Sequence, residues 1–163
     1  MKISPPIKGI ITAALMPGII LPIYNMGKHA HTRLQYAVYG IYALGIVWTL
    51  VAFRQTASFT GTFGNLFNQG FKCFIVVTLI MALFYGIFNY SHPEFAEESS
   101  KIYKEQLLSE KNGSKTPDEI EEATRSYKKG YNMAVVYGSI FGYLIIGVAV
   151  TAAISVFLIK RKE

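Results

Sequence analysis

MAVVYGSIFGYLIIGVAVTAAISVFLI, residues 133–159, carries no charged side chain over 27 consecutive positions and is followed at once by Lys160-Arg161-Lys162. A hydrocarbon core of about 30 Å is crossed by about 20 helical residues, so this run spans a bilayer with length to spare. The surplus is taken up by tilt or by projection beyond the membrane. A surface helix of a soluble domain would alternate this apolar face with a charged one. Here the charges come only at the end, where basic residues meet the headgroup layer.

Three further apolar runs lie upstream. Residues 7–26 are interrupted only by Lys8. Residues 34–53 are uncharged, contain Trp48 and are closed by Arg54. Residues 71–90 hold one charge, Lys72, which can snorkel from the end of the run. The first run follows Lys2 as a signal peptide would, but no small-residue cleavage site comes after it. Pro17, Pro22 and Asn25 point instead to a bent helix that is retained.

The rest of the composition agrees with a membrane solvent. Hydrophobic residues make up 52% and charged residues 16% of the 163, against about a quarter charged in a typical soluble domain. Of ten acids, nine fall between Glu94 and Glu122, and the tenth is Glu163. Low dielectric imposes such clustering, because an uncompensated buried ion is costly. The net charge of +6 resides at the ends of apolar runs and forms no stripe interleaved with aromatics, which fits membrane lipids as partners and not nucleic acid. Cys73, the single cysteine, has no intrachain partner and reads as a small packing residue.

Two segments differ from the spans. In residues 55–71, Phe59, Phe63, Leu66, Phe67 and Phe71 recur at helical spacing, with Thr60, Thr62, Asn65, Asn68 and Gln69 between them. This pattern predicts an amphipathic interfacial helix leading into the third span. Phe59, Phe63, Phe67 and Phe71 are its candidate partner-docking residues. Residues 91–132 are the one soluble stretch. Ser91 with Glu94 offers a capping pair, Asn112-Gly113 a turn, and Thr116-Pro117-Asp118-Glu119 a second helix start. The expectation is an extramembranous helical hairpin. The fold class is therefore all-α integral membrane protein, a single four-helix transmembrane domain with that hairpin inserted between the third and fourth spans.

Four spans place both termini on one side. That side collects Lys2, Lys8, Arg54, Lys72, Lys160, Arg161 and Lys162 against Glu163, whereas acids outnumber bases in the hairpin. The positive-inside rule puts the termini in the cytoplasm and residues 91–132 in the periplasm, with Lys128 and Lys129 counting against that orientation.

In this layout the chain resembles the bacterial family catalogued as Domain of Unknown Function 4199. The resemblance rests on Arg54, then Phe63-Gly64-Asn65-Leu66-Phe67-Asn68-Gln69-Gly70 before the third span, then Tyr90-Ser91-His92-Pro93-Glu94-Phe95 after it. A charged helical insertion, a last span and a basic tail complete the pattern. The resemblance implies a small inner-membrane protein, chiefly of Bacteroidota, and supplies no catalytic residues. Members of the family also occur encoded near membrane glycosyltransferases, which adds the reading of a helper to a lipid-linked glycosyltransferase.

Candidate chemistry is sparse. His29-Ala30-His31 has no Cys, Asp or Glu nearby to complete a metal shell and reads as a solvated pair. No acid, histidine or arginine falls inside an apolar run, which removes the usual mark of a proton-coupled carrier or an intramembrane enzyme. No nucleophile–base set or phosphate loop is visible, so neither an enzyme nor a cofactor is expected. Gly138 and Gly142, followed by Gly147, would let helix backbones approach closely, within the bundle or between chains; Gly9 and Ala13 offer a weaker version. The reading is a structural or accessory subunit of a membrane complex. The alternative is a small homo-oligomeric transporter or channel lined by Thr49, Thr78, Asn89, Ser139, Thr151 and Ser155.

Overall fold

The structure, a computed structural model, describes residues 3–25, 31–109 and 116–160. Within them the chain forms five α-helices and no β-strand: α1 Pro5–Asn25, α2 His31–Arg54, α3 Phe63–Ser91, α4 Glu94–Ser109 and α5 Pro117–Lys160. Four of these, α1, α2, α3 and α5, are long and apolar enough to cross a membrane. Met26, His29, the Asn112-Gly113 turn and the Arg161-Lys162 tail lie outside the described residues.

At α1, α3, α4 and α5, local chemistry disposes of some of the first orphan backbone donors. At α1 the Ser4 carbonyl accepts the Lys8 N–H at 3.1 Å, while Pro5 and Pro6 have no N–H to leave unpaired. α1 then runs on past Pro17 and Pro22, as membrane helices can where neighbouring groups re-satisfy the freed carbonyls. At α5 the Thr116 N–H donates to Glu119 Oε2 at 2.7 Å and the Glu119 N–H to Thr116 Oγ1 at 3.4 Å, a reciprocal capping box. The pair Ser91 and Glu94 forms no such box. α3 continues through Ser91, and the Pro93 carbonyl accepts the Glu97 N–H at 3.2 Å. Proline disfavours helical backbone in the residue before it, so the break falls at His92.

One boundary differs from the sequence expectation. The amphipathic stretch is not a separate helix: residues 55–62 form turns, and α3 starts at Phe63. Gly61 takes a φ of 78°, and Thr62 Oγ1 accepts the Asn65 N–H at 3.4 Å, so the helix is capped after Phe59 has already passed. The last span and the charged stretch before it share a helix, continuous from residue 132 to 133. α5 is one helix of 44 residues, about 66 Å long at 1.5 Å per residue, with no proline after its first position.

The chain divides into two compact units, residues 1–81 with 140–163 and residues 82–139. The first unit has a core of Ala13 and Met16 from α1, Tyr42, Ile46 and Leu50 from α2, Phe74 and Val77 from α3, and Tyr143 from α5. Steps of three residues in α1 and α3 and of four in α2 place each set on one helix face. Leu15, Leu44, Leu79 and Ile145 are exposed, so the outward faces are as apolar as the inward ones. That is the surface a lipid solvent asks for, and between such helices packing replaces hydrophobicity as the driving force.

Close packing in this unit rests on missing side chains. A Cβ at Gly9 would lie 2.7 Å from the Cys73 carbonyl oxygen, and one at Gly147 would collide with the Tyr42 hydroxyl and the base of the Phe74 ring. The space at Gly45 and Gly70 is filled by Thr12 and Thr151. At Gly147 the gap also opens the preceding turn of α5, where the Tyr42 hydroxyl donates to the Tyr143 carbonyl at 2.9 Å. The two tyrosine rings meet edge-on at 5.3 Å.

The second unit is held by rings and surface charges. Tyr103 of α4 stacks on Tyr127 of α5 at 4.5 Å and 14°. Phe88 packs against His92 at 4.4 Å and Phe95 at 5.9 Å. Glu97 bridges Lys101 at 3.3 Å and Lys128 at 3.6 Å. The Lys101 hydrogen bond, helped by the Lys128 charge, holds the Glu97 carboxyl below its ordinary range. Leu107 and Ile120 are buried.

Candidate functional site

Lys8 is the only charged residue of α1, one turn from its start, and is only 6% exposed. Its Nζ lies 5.2 Å from the centroid of the Trp48 ring, whose electron-rich face attracts a cation. Between these two side chains opens a cavity of about 570 Å³. The first turn of α1 supplies Ser4 and Pro5, the last turns of α2 supply Thr49 and Phe53, residues 55–58 turn across it, and Gln69 comes from α3. All of these residues belong to the first unit.

The donors in the wall divide into committed and free. Thr49 Oγ1 donates to the Gly45 carbonyl at 2.9 Å and lies 3.3 Å from Cys73 Sγ, while Thr56 Oγ1 donates to the Phe53 carbonyl at 2.7 Å. Ser4, Gln55, Ser58 and Gln69 have side chains with no hydrogen-bond partner among the described residues. No carboxylate balances the lysine: residues 1–93 contain no Asp or Glu, and the first unit's only acid is Glu163, outside the described residues. The pocket thus offers one cation, uncommitted hydroxyl and amide groups and an indole face.

The residues singled out from sequence are distributed differently. Phe63 and Phe67 stack at 5.5 Å on the first turns of α3, with Phe63 41% exposed. Phe71, 44% exposed, meets Phe74 edge-on at 5.2 Å. Phe59 sits on the preceding turn against Phe53 at 6.2 Å, so the four phenylalanines do not form one helical stripe. Of the three α5 glycines singled out from sequence, Gly147 is at a close contact, whereas a Cβ at Gly138 or Gly142 would meet nothing within 4 Å.

Most of the polar side chains within the apolar runs bond to their own helices. Thr78 donates to the Phe74 carbonyl, Asn89 to Tyr85 and Ser139 to Val136, each at 2.8–2.9 Å. Thr151 Oγ1 and Ser155 Oγ are buried without a hydrogen-bond partner among the described residues. Among those residues no three His, Cys, Asp or Glu side chains come together, and the His31 side chain lies outside what is described. Sequence reasoning passed over the Lys8–Trp48 pair because 40 positions separate the two residues and Lys8 reads as one more flanking base. The signal available was a lysine inside an apolar run, in a stretch with no acid to meet it.

Neither a curated protein nor a solved structure matches the chain. The model of the family described as Protein of unknown function (DUF4199) matches residues 7–160, from the Lys8 turn of α1 to the last turn of α5. With nearly the whole length covered, including all four membrane-length helices and α4, the chain belongs to the DUF4199 family.

Proposed function

We propose that the protein is a non-catalytic accessory subunit of the bacterial inner membrane, where it holds or regulates another membrane protein. The observation that carries this reading is the stacked Phe63–Phe67 pair, with Phe63 exposed on the capped end of a spanning helix. Aromatic anchors of this kind supply contact area at low entropic cost. Replacing both with serine is expected to lower the yield of co-purified partner at least about fivefold, given typical hot-spot energies, without changing the amount of chain in the membrane. Mild-detergent extraction and quantitative mass spectrometry measure it, and full partner recovery by the double variant would rule out docking there.

A transport role is less well supported, because Thr49, Thr78, Asn89 and Ser139 spend their hydrogen bonds on their own helices. Thr151 and Ser155 remain as uncommitted groups for that alternative.

In the orientation that goes with this proposal, both termini are cytoplasmic, and residues 91–132 form a periplasmic hairpin of α4 with the charged start of α5. The Tyr103–Tyr127 stack and the Glu97–Lys128 bridge support pairing of those two arms. A cysteine at the exposed Ser109, in a Cys73→Ser background, is expected to react with an impermeant maleimide in intact spheroplasts. Labelling seen only after lysis would invert the orientation.

A further inference from the structure

We propose that the Lys8–Trp48 cavity is a lipid site that binds the phosphate of an anionic phospholipid headgroup. The inference stands apart from the accessory-subunit reading. It starts from a charge imbalance: Lys8 is nine-tenths buried, faces a cavity, and has no carboxylate from the described residues to meet it. A buried cation is stable only when paired, and the cation–π contact with Trp48 supplies a fraction of what an anion would. No described residue supplies the counter-ion, and the cavity beside the ammonium leaves room for one from outside.

Its chemistry follows from the wall. Besides the ammonium, Ser4, Gln55, Ser58 and Gln69 offer donors with no other partner among the described residues. A tetrahedral phosphate can accept from an ammonium and several neutral donors at once. The location favours a lipid as its source. The cavity lies at the first turn of one membrane-length helix and the last turns of another, the depth at which hydrocarbon gives way to headgroups. Trp48 is 42% exposed, as an interface-seeking indole is. Ile7 and Ile11 are exposed on the same helix as Lys8 and supply apolar surface for an acyl chain.

Trp48 is the only tryptophan of the chain, so its fluorescence reads the cavity directly. The full chain, delipidated in a neutral maltoside detergent, is titrated with phosphatidylglycerol, with diacylglycerol of the same acyl chains, and with inorganic phosphate. Phosphatidylglycerol is expected to give a saturable Trp48 change that Lys8→Met weakens by about tenfold or more and Lys8→Arg by only a few-fold. Lys72→Met, at an exposed lysine, should leave the titration unchanged. Equal binding of diacylglycerol, or a Lys8→Met affinity within about twofold of the parent, would overturn the proposal. Inorganic phosphate binding as tightly as the lipid through Lys8 would overturn the lipid source. Should Lys8→Met fail to fold, the pair Ser58→Ala and Gln69→Leu is expected to weaken lipid binding several-fold, and an unchanged affinity there counts against the site.

Discussion

Gly147→Leu is expected to yield no folded protein, and Gly147→Ala to lower the melting temperature of the solubilised chain, while Gly138→Ala and Gly142→Ala leave it unchanged or slightly higher. The three glycines are alike in sequence, on one helix and close together. They differ in what a Cβ would meet. At Gly147 it would strike the Tyr42 hydroxyl and come within 2.7 Å of Phe74 Cγ and 2.9 Å of its Cβ. Those last two atoms sit at the root of a fully buried side chain and cannot swing aside as a flexible tip would. Overpacking of this kind costs about 1–3 kcal/mol for a single carbon, and a leucine adds three more. The alanine would also crowd the Tyr42 hydroxyl away from the Tyr143 carbonyl, a further loss of about 1 kcal/mol. At Gly138 and Gly142 nothing lies within 4 Å, so alanine brings only its better helix propensity, about 1 kcal/mol at most. Thermal melts in one detergent, monitored by helicity, separate the cases. A Gly147→Ala melt equal to the parent's would show that α5 does not approach α2 and α3 this closely.

Phe74→Ala is expected to destabilise the chain by about 3 kcal/mol, the low end of the range for losing a buried phenylalanine. Phe74 is fully buried between the Phe71 ring and the Gly147 gap. In water the loss would combine a transfer term with a cavity term. In a bilayer or micelle the unfolded helices stay in an apolar solvent, so the transfer term shrinks and the cavity term remains. Leu79→Ala, on the exposed face of the same helix, is the matched control and should change stability by no more than about 0.5 kcal/mol. Unfolding in mixed micelles of rising dodecyl sulfate content measures both. Equal effects of the two substitutions would mean that α3 does not present Phe74 to a packed interior.

Much of the architecture was legible from residue order alone, because the physics concerned is local or set by the solvent. An uncharged run of 27 residues is far longer than the roughly 10 a barrel strand needs, so in hydrocarbon it forms a helix, whose backbone groups pair within the segment. The Thr116-Pro117 start of α5 was readable for the same reason: a capping box is made by residues three apart. Where two local signals competed, the pattern misled. Phe59 shares the helical spacing of Phe63 and Phe67, but Gly61 and the Thr62 cap reset the chain between them. Periodicity records spacing and is blind to one residue with positive φ. The Ser91–Glu94 pair failed similarly, since Pro93 made His92 the break and left Ser91 inside α3.

By itself, the sequence determined that this is an all-α chain with four membrane-length helices, and where the charge lies along it. Those properties follow from how each segment meets its solvent, and a segment carries that information within itself. Which small residues are contacts was decided only by tertiary structure. It brought Gly9 against the Cys73 carbonyl and Gly147 against Tyr42 and Phe74, and left Gly138 and Gly142 clear. It also set Lys8 over Trp48 in the wall of a cavity, turning a flanking lysine into a buried cation. A helix that is apolar on every side does not say which face will be covered. In lipid that choice rests on shape, and shape is a property of the helices once they are together.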